Sequence, residues 1–172
     1  MIFFSGIYTV AIYGIAQFAP NHGKGAIVTQ NGKTYYSNIA QNFSDDKYFS
    51  SRPSACGYNA AGSGGSNKGP SNPDYLAQVQ VRIDTFLVHN PGVVKSEIPS
   101  DLVTASGAGL DPHISVLSAK VQVKRIAVTR GIPEEKIQEL ITANTEKPLL
   151  GFFGTEKINV LNLNIALDQT NN

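Results

Sequence analysis

Apolar and polar positions divide the chain into a charge-free start, a short hairpin, a long loop without periodicity and a largely helical second half. Residues 2–18, IFFSGIYTVAIYGIAQF, contain no charged side chain and end shortly before Pro20. A helix of this length spans about 25 Å, at the short limit for a bilayer core of roughly 30 Å. A buried core helix would show a polar outer face, and a signal peptide would begin with basic residues. The stretch therefore predicts a transmembrane helix over residues 1–19, shortened at its N-terminus.

Small residues recur at helical spacing along one face of this predicted helix, at Gly6, Val10 and Gly14. Small side chains at such spacing allow a second transmembrane helix to approach closely. We therefore expect a helix-packing face, with a lipid-facing helix carrying incidental glycines as the alternative. Because the stretch contains no lysine or arginine, the positive-inside rule gives no orientation.

Residues 25–36 have the pattern of a β-hairpin. The segments AIVTQ and KTYY flank Asn31 and Gly32, the preferred pair for a two-residue type I′ turn. Gly32–Thr34 has the letters that end a phosphate-binding loop. However, six residues separate Gly25 from Gly32 where that motif needs four, and a strand follows instead of a helix. A phosphate-binding loop is therefore rejected here.

Residues 41–73 show neither strand nor helix periodicity. They are rich in glycine, serine and asparagine, which favour turns and local bonds to the main chain. They also contain aromatic residues and an arginine, in which solvated linkers are poor. Loops of this length inside a domain are usually functional or disordered. We expect an ordered surface loop that contacts a partner.

The clearest helix follows this loop. Asn72 is a suitable N-cap, Pro73 fits the first helical position, and Asn90 begins a stop signal. Its apolar stripe comprises Leu76, Val79, Ile83, Phe86 and Leu87.

Further elements are predicted downstream. Leu102–Thr104 has the pattern of a short buried strand, and Ser115 caps a single helix that ends at Gly131. Pro133 opens another helix. Residues 158–168 predict a strand to Val160 followed by a short helix.

These elements predict an α/β fold with an α+β tendency. A single N-terminal transmembrane helix precedes one soluble mixed domain, residues 20–172, with a small sheet and about three to four helices. The length of 172 residues and the apolar fraction of 41% suit one such domain with an appendage.

Charge and cysteine content exclude some functions. Charged residues make up 16% of the chain and the net charge is +1, so no basic face indicates nucleic acid as a partner. Cys56 is the single cysteine, which precludes an internal disulfide and predicts a free thiol.

Ser106, Asp111 and His113 have the residue types of a hydrolase triad, but they lie within eight positions of one another. Ser106 also lacks the glycine on each side that a nucleophile elbow requires. We therefore assign no catalytic residue. A membrane-tethered extracytoplasmic serine hydrolase using Ser106 and His113 is kept as the alternative function, and a small-ligand sensor is a third.

Metal and nucleotide sites have little support. The three histidines are too scattered for zinc, and Asp45–Asp46 lacks the alternating acids of a calcium loop. No metal ligand is assigned. Successive amides in a glycine loop form anion nests, and the nearest candidates for a nucleotide loop are Ser63, Gly64, Gly65 and Ser66.

Five segments together resemble a known family. They are 49–55 (FSSRPSA), 58–67 (YNAAGSGGSN), 69–73 (GPSNP), 101–115 (DLVTASGAGLDPHIS) and 159–168 (NVLNLNIALD). Their order and spacing are similar to those of the C subunit of the Kdp-type potassium-transporting ATPase, over nearly the whole chain.

The resemblance implies a non-catalytic accessory subunit in the inner cell membrane, single-pass, with an extracytoplasmic domain. Its implied partners are a channel-like potassium-translocating subunit, a P-type ATPase subunit and membrane lipid. No cofactor is assigned to this chain. The resemblance implies that ATP is shared with the catalytic subunit, whose ATP binding this chain assists, and that potassium is handled by the partners.

Aromatic and arginine side chains commonly anchor protein interfaces. We therefore expect the resembling loops to dock on a partner. The candidate interface residues are Tyr48, Phe49, Arg52, Pro53, Tyr58, Asn67, Asp111 and His113.

Overall fold

The computed structural model describes residues 1–30 and 32–170, and the chain divides into two compact units, Met1–Asn38 and Ile39–Asn172. The first unit begins with a π-helical segment, Phe3–Tyr8, which continues into α1, Thr9–Ala16. A 3₁₀ turn at Pro20–Gly23 follows. None of the residues in these three segments is buried.

The predicted hairpin is confirmed. Strand β1, Ile27–Gln30, pairs antiparallel with β2, Lys33–Tyr36, in a register that joins Gln30 to Lys33. Gly32 has a φ of +73°, as a tight two-residue turn requires. The other predicted turn residue, Asn31, lies outside the described residues.

Across residues 1–30 and 32–170, no helix has both the length and the apolar character that crossing a bilayer demands.

The second unit contains five α-helices and a three-stranded antiparallel sheet within its described residues. The helices are α2, Pro73–His89; α3, Val116–Lys120; α4, Val123–Arg130; α5, Glu134–Ala143; and α6, Val160–Gln169. The strands are β3, His113–Ile114; β4, Thr145–Glu146; and β5, Lys157–Asn159, in the order β3-β5-β4. The predicted mixed fold with a small sheet is confirmed.

Helices α3 to α6 and the small sheet surround one hydrophobic core. It includes Ile114, Ala119, Val123, Ile126, Ile137, Ile141, Ile158, Leu163 and Leu167, together with Phe49 from the long loop. Helix α2 contributes no buried residue, so its apolar stripe is only partly covered within the described chain.

Several helix boundaries follow the predicted capping residues. Asn72 Oδ1 accepts a hydrogen bond from the Tyr75 amide at 3.0 Å, and Ser115 Oγ accepts one from the Ser118 amide at 3.1 Å. Gly131 ends α4 with a left-handed φ of +65°. The predicted strand and helix at the C-terminal end are both present.

Two local predictions are wrong. Leu102–Thr104 is not a strand, because Ser100–Leu102 forms a 3₁₀ turn whose first carbonyl also accepts from the Thr104 amide. The single helix predicted after Ser115 is broken between α3 and α4, where the side chain of Gln122 turns inward and is fully buried. This break raises the number of helices above the predicted three to four.

Candidate partner-binding site

The long loop, residues 41–73, lies against a shorter loop at residues 106–113. Between residues 41 and 72, all of which the structure describes, the only regular element is a 3₁₀ turn at Ala60–Gly62. We call residues 52–67 and 106–113 together the paired-loop surface. Hydrogen bonds from side chains and main chain, described below, hold this surface in place.

Phe49 attaches the long loop to the core. Its side chain is 0% exposed, packed among the core residues of the second unit. The Phe49 amide donates to Asn164 Oδ1 at 2.9 Å, and Asn164 Nδ2 donates back to the Phe49 carbonyl at 3.0 Å. The expectation that Phe49 docks on a partner is therefore wrong, since its ring is enclosed by the chain's own core.

Arg125 on α4 binds the segment next to Phe49. Its guanidinium donates to the carbonyls of Asp46 and Tyr48, the latter at 3.1 Å. It also donates to Asn90 Oδ1 at 2.9 Å and to Gln122 Oε1 at 2.8 Å. Burial lowers the pKa of Arg125. A buried cation needs such a complete set of acceptors, so this residue fixes the loop to α4.

Contacts with Asp168 and Arg130 hold Tyr48 in place. Its hydroxyl donates to Asp168 Oδ2 at 3.0 Å, and Arg130 Nη2 donates to Asp168 Oδ1 at 2.7 Å. The Arg130 guanidinium lies 4.9 Å from the centre of the Tyr48 ring. Burial and the bond to Asp168 raise the pKa of Tyr48. The half-buried ring therefore stabilises the fold, and only part of its surface is accessible to a partner.

Arg52 joins the two loops through a row of ionisable side chains. Its Nη1 lies 3.1 Å from Asp111 Oδ2, and Asp111 Oδ1 lies 3.3 Å from Nδ1 of His113. The other ring nitrogen of His113 lies 3.5 Å from Glu146 Oε1 on β4. Arg52, Asp111 and His113 are partly exposed and line one side of a groove of about 690 Å³. The row therefore holds polar and charged side chains in a fixed arrangement on this side of the groove.

Close backbone approach joins the rest of the paired-loop surface. Ser54 Oγ donates to the Gly109 carbonyl at 2.6 Å. Gly109 has a φ of +69°, and a Cβ there would lie 2.7 Å from Cys56 Sγ. A Cβ on Gly65 would lie 2.6 Å from the Gly107 carbonyl oxygen. The glycines are therefore needed for the loops to meet.

Tyr58 supports the backbone behind Arg52. Its hydroxyl donates to the Arg52 carbonyl at 2.8 Å, and its amide donates to Ser54 Oγ at 2.8 Å. Burial raises the pKa of Tyr58. Tyr58 has a φ of +59° and the exposed Asn67 one of +53°, an uncommon conformation for residues other than glycine. The predicted interface residue Pro53 is half-buried.

The thiol of Cys56 lies beside the same junction. Its Sγ is 3.4 Å from Ser54 Oγ, and the hydrogen bond between them lowers the pKa of Cys56. The thiol is free, as predicted.

Two donors of the candidate nucleotide loop bond the chain's own backbone. The Ser63 hydroxyl and the Gly64 amide both donate to the Ala108 carbonyl, each at 3.0 Å. An anion nest needs free amides that converge on the ligand, and the Gly64 amide is already bonded. Ser66 is exposed and Gly65 is packed against Gly107. These contacts therefore connect the long loop to the shorter loop at residues 106–113.

Ser106 and His113 are not arranged as a nucleophile and its base. Ser106 is buried and its Oγ accepts a bond from the Asp111 amide at 3.4 Å. The two ring nitrogens of His113 instead face the carboxylates of Asp111 and Glu146. In the described part of the chain, no group of three or more histidine, cysteine or acidic side chains is placed to hold a metal ion.

Arg125, Gln122 and Asn164 are essential to the site and were not singled out from the sequence. Each is a polar residue beside buried apolar positions, next to Val123, Ile126 or Leu163. Such an interruption of an apolar run is the signal that marks a buried polar group with a partner.

The predicted helix-packing face lies in the first unit. Val10 and Gly14 are on α1, while Gly6 is in the π-helical segment. Apart from the chain neighbours and nearby helix backbone, no atom of the described residues lies within 4 Å of a Cβ built on Gly6 or Gly14. This face is open for close packing, and its role stays a prediction.

Comparison with known proteins identifies relatives along nearly the whole chain. Residues 1–169 match the family described as KdpC: K+-transporting ATPase, c chain. The chain is 56% identical over 170 residues to the potassium-transporting ATPase KdpC subunit of Flavobacterium psychrophilum, covering 98% of this chain and 91% of that protein. The protein of the same description from Bacteroides fragilis is 51% identical over 175 residues, covering 99% and 92%. That of Caldanaerobacter subterraneus subsp. tengcongensis is 45% identical over 169 residues, covering 97% and 88%.

Proposed function

The chain belongs to the KdpC family, the c chain of K+-transporting ATPases, and from this membership we propose how it works. It is a non-catalytic accessory subunit of an ATP-driven potassium uptake pump. It supports assembly of the pump and the coupling of ATP hydrolysis to potassium import. The observation that carries this function is the family match over residues 1–169, which includes both loops of the paired-loop surface.

The side chains of the paired-loop surface support a docking role. Arg52, Asp111 and His113 are bonded to one another and partly exposed, which preorganises them for a partner. With Phe49 assigned to the core, the docking residues are Arg52, Pro53, Tyr58, Asn67, Asp111 and His113, with the accessible part of Tyr48. Their partner is the channel-like subunit or the P-type subunit.

We assign the N-terminal stretch to the membrane. Residues 2–18 carry no charge, and their large apolar side chains are exposed all around the helical segments. Such a surface is unfavourable in water and suited to lipid or to another apolar helix. Gly6, Val10 and Gly14 then form the face that packs on a partner helix. The chain is single-pass, and its domain is extracytoplasmic.

ATP and potassium belong to the partner subunits in this proposal. In the candidate nucleotide loop, the Gly64 amide and the Ser63 hydroxyl already donate to the Ala108 carbonyl. Because these donors are occupied, an indirect influence on ATP binding by the catalytic subunit is favoured over direct contact with ATP. Potassium prefers rings of carbonyl oxygens, and the channel-like subunit supplies them in this scheme.

Potassium uptake in cells tests this function. Cells that produce the other pump subunits but lack this chain are compared with cells in which the chain is restored. At low external potassium, uptake is expected to depend on the restored chain. Equal uptake in both strains, with the other subunits present at equal amounts, would contradict an accessory role.

A further inference from the structure

A short hairpin between β4 and β5 exposes a concentrated group of large apolar side chains. The tip, residues 148–154 (PLLGFFG), contains no charged residue. Leu149, Leu150, Phe152 and Phe153 are 71%, 74%, 70% and 59% exposed, respectively. Contiguous exposed apolar surface of this kind usually marks an interaction site. Neither the core nor the paired-loop surface uses these side chains.

Internal hydrogen bonds hold the tip in a defined shape. The amides and carbonyls of Leu149 and Phe153 bond each other, at 3.0 and 2.9 Å. The Gly151 amide donates to the Pro148 carbonyl at 2.9 Å, and the Phe152 amide donates to the Leu149 carbonyl at 3.3 Å. The two phenylalanine rings pack against each other with their centres 4.3 Å apart. The tip therefore satisfies these four amides without water.

We propose that residues 148–153 insert into the interfacial region of a lipid bilayer. Backbone amides that leave water must be bonded internally, and four amides of the tip meet that condition. Two pairs of large apolar residues, one on each side of Gly151, are exposed, so the tip projects from the domain. Lipid can surround a projecting tip on all sides, whereas a flat protein surface would cover only one side of it. A projecting apolar tip therefore suits a bilayer better than a flat protein partner.

The charges at the base of the tip fit a zwitterionic headgroup layer. Glu146 and Lys147 precede the tip, and Glu156 and Lys157 follow it, giving two acids and two bases. Lys157 Nζ lies 3.5 Å from Glu146 Oε2. Because this rim has no net charge, insertion is driven by apolar contact and does not require anionic lipid.

A single introduced tryptophan tests the proposal, because the chain contains none. Full-length Phe152→Trp is reconstituted into phosphatidylcholine vesicles with and without brominated acyl chains. The matched control is Val128→Trp, since Val128 is a 78% exposed apolar residue on α4. The tip variant is expected to show blue-shifted emission, loss of intensity with brominated lipid and protection from aqueous acrylamide. The control is expected to show none of these changes.

Two outcomes would overturn the proposal. In the first, acrylamide quenches the tip variant as strongly as the control and brominated lipid has no effect. In the second, the tip variant becomes protected only when the other pump subunits are reconstituted with it and stays insensitive to brominated lipid. The second result would assign the tip to a protein partner.

Discussion

At the scale of single residues, Phe49 joins the long loop to the folded domain. Its ring fills the core, while its amide and carbonyl bond the side chain of Asn164. The same residue type in the same loop would serve as an interface anchor if it faced outward. Residue type alone does not distinguish the two roles, because both use a large apolar side chain in a polar segment.

We predict that Phe49→Ala destabilises the chain by about 3–5 kcal/mol, the usual cost of emptying a buried phenylalanine site. Urea unfolding of the purified chain, followed by circular dichroism, measures the change. The control is Leu117→Ala, an exposed position on α3 that is expected to change stability by about 0.5 kcal/mol or less. Equal small effects from the two variants would place Phe49 outside the core.

Cys56 provides a prediction about pH. The hydrogen bond with Ser54 lowers the pKa of the thiol, so the thiolate forms at lower pH than in the unfolded chain. Ser54→Ala removes this bond and is expected to raise the pKa. The pH midpoint of iodoacetamide alkylation should therefore move upward. The alkylation rate reports on Cys56 alone, because the chain contains no other cysteine.

Ser66→Ala is the matched control for this measurement, because Ser66 is an exposed serine in the same loop. Its alkylation midpoint should equal that of the unaltered chain. An unchanged midpoint in Ser54→Ala would show that the Ser54 hydroxyl does not stabilise the thiolate.

At the scale of elements, the paired-loop surface depends on backbone approach at glycines. Gly109 combines a left-handed φ with a Cβ position 2.7 Å from Cys56 Sγ. A Cβ on Gly107, by contrast, meets no atom of the described residues within 4 Å beyond its two chain neighbours. We predict that Gly109→Ala costs about 1–3 kcal/mol, through strain and displacement of the opposing loop. Gly107→Ala should cost about 0.5 kcal/mol or less.

Thermal unfolding of the two glycine variants, scanned in parallel, checks this difference. The expected result is a lower Tm for Gly109→Ala and a Tm near that of the unaltered chain for Gly107→Ala. A similar Tm for both variants would mean that the two loops do not need to approach closely at Gly109.

Features of the fold that local chemistry determines were predictable from the sequence. The capping bonds of Asn72 and Ser115 each join residues three positions apart, and the left-handed end of α4 follows from the glycine at position 131. The break before α4 was not predictable in this way. It depends on Gln122 bonding the Ser50 amide at 2.8 Å, across 72 positions of sequence.

The candidate site was predictable in position and only partly in role. Four of the five sequence segments that resemble the family overlap the two loops that meet in the structure, while 159–168 lies on β5 and α6. The orientation of each side chain required the fold, since Tyr48 and Phe49 turn inward to Asp168 and the core, while Arg52 stays partly exposed.

At the scale of the whole molecule, the Arg52→Ala variant tests whether the paired-loop surface binds a partner. Arg52→Ala removes the ion pair with Asp111, which is partly exposed and contributes about 1 kcal/mol or less to stability. We predict that this variant folds but lowers recovery of the assembled pump and potassium uptake. Lys136→Ala, an exposed position on α5, serves as the control. Unchanged recovery and uptake in Arg52→Ala would remove Arg52 from the interface.

The most direct test of the whole account is affinity purification of the tagged chain, in mild detergent, from membranes that contain all the pump subunits. Mass spectrometry then identifies the proteins that elute with it. We predict that the P-type ATPase subunit and the channel-like subunit co-purify with the chain in a fixed proportion. Elution of the chain alone, with both subunits demonstrably present in the solubilised membranes, would contradict it.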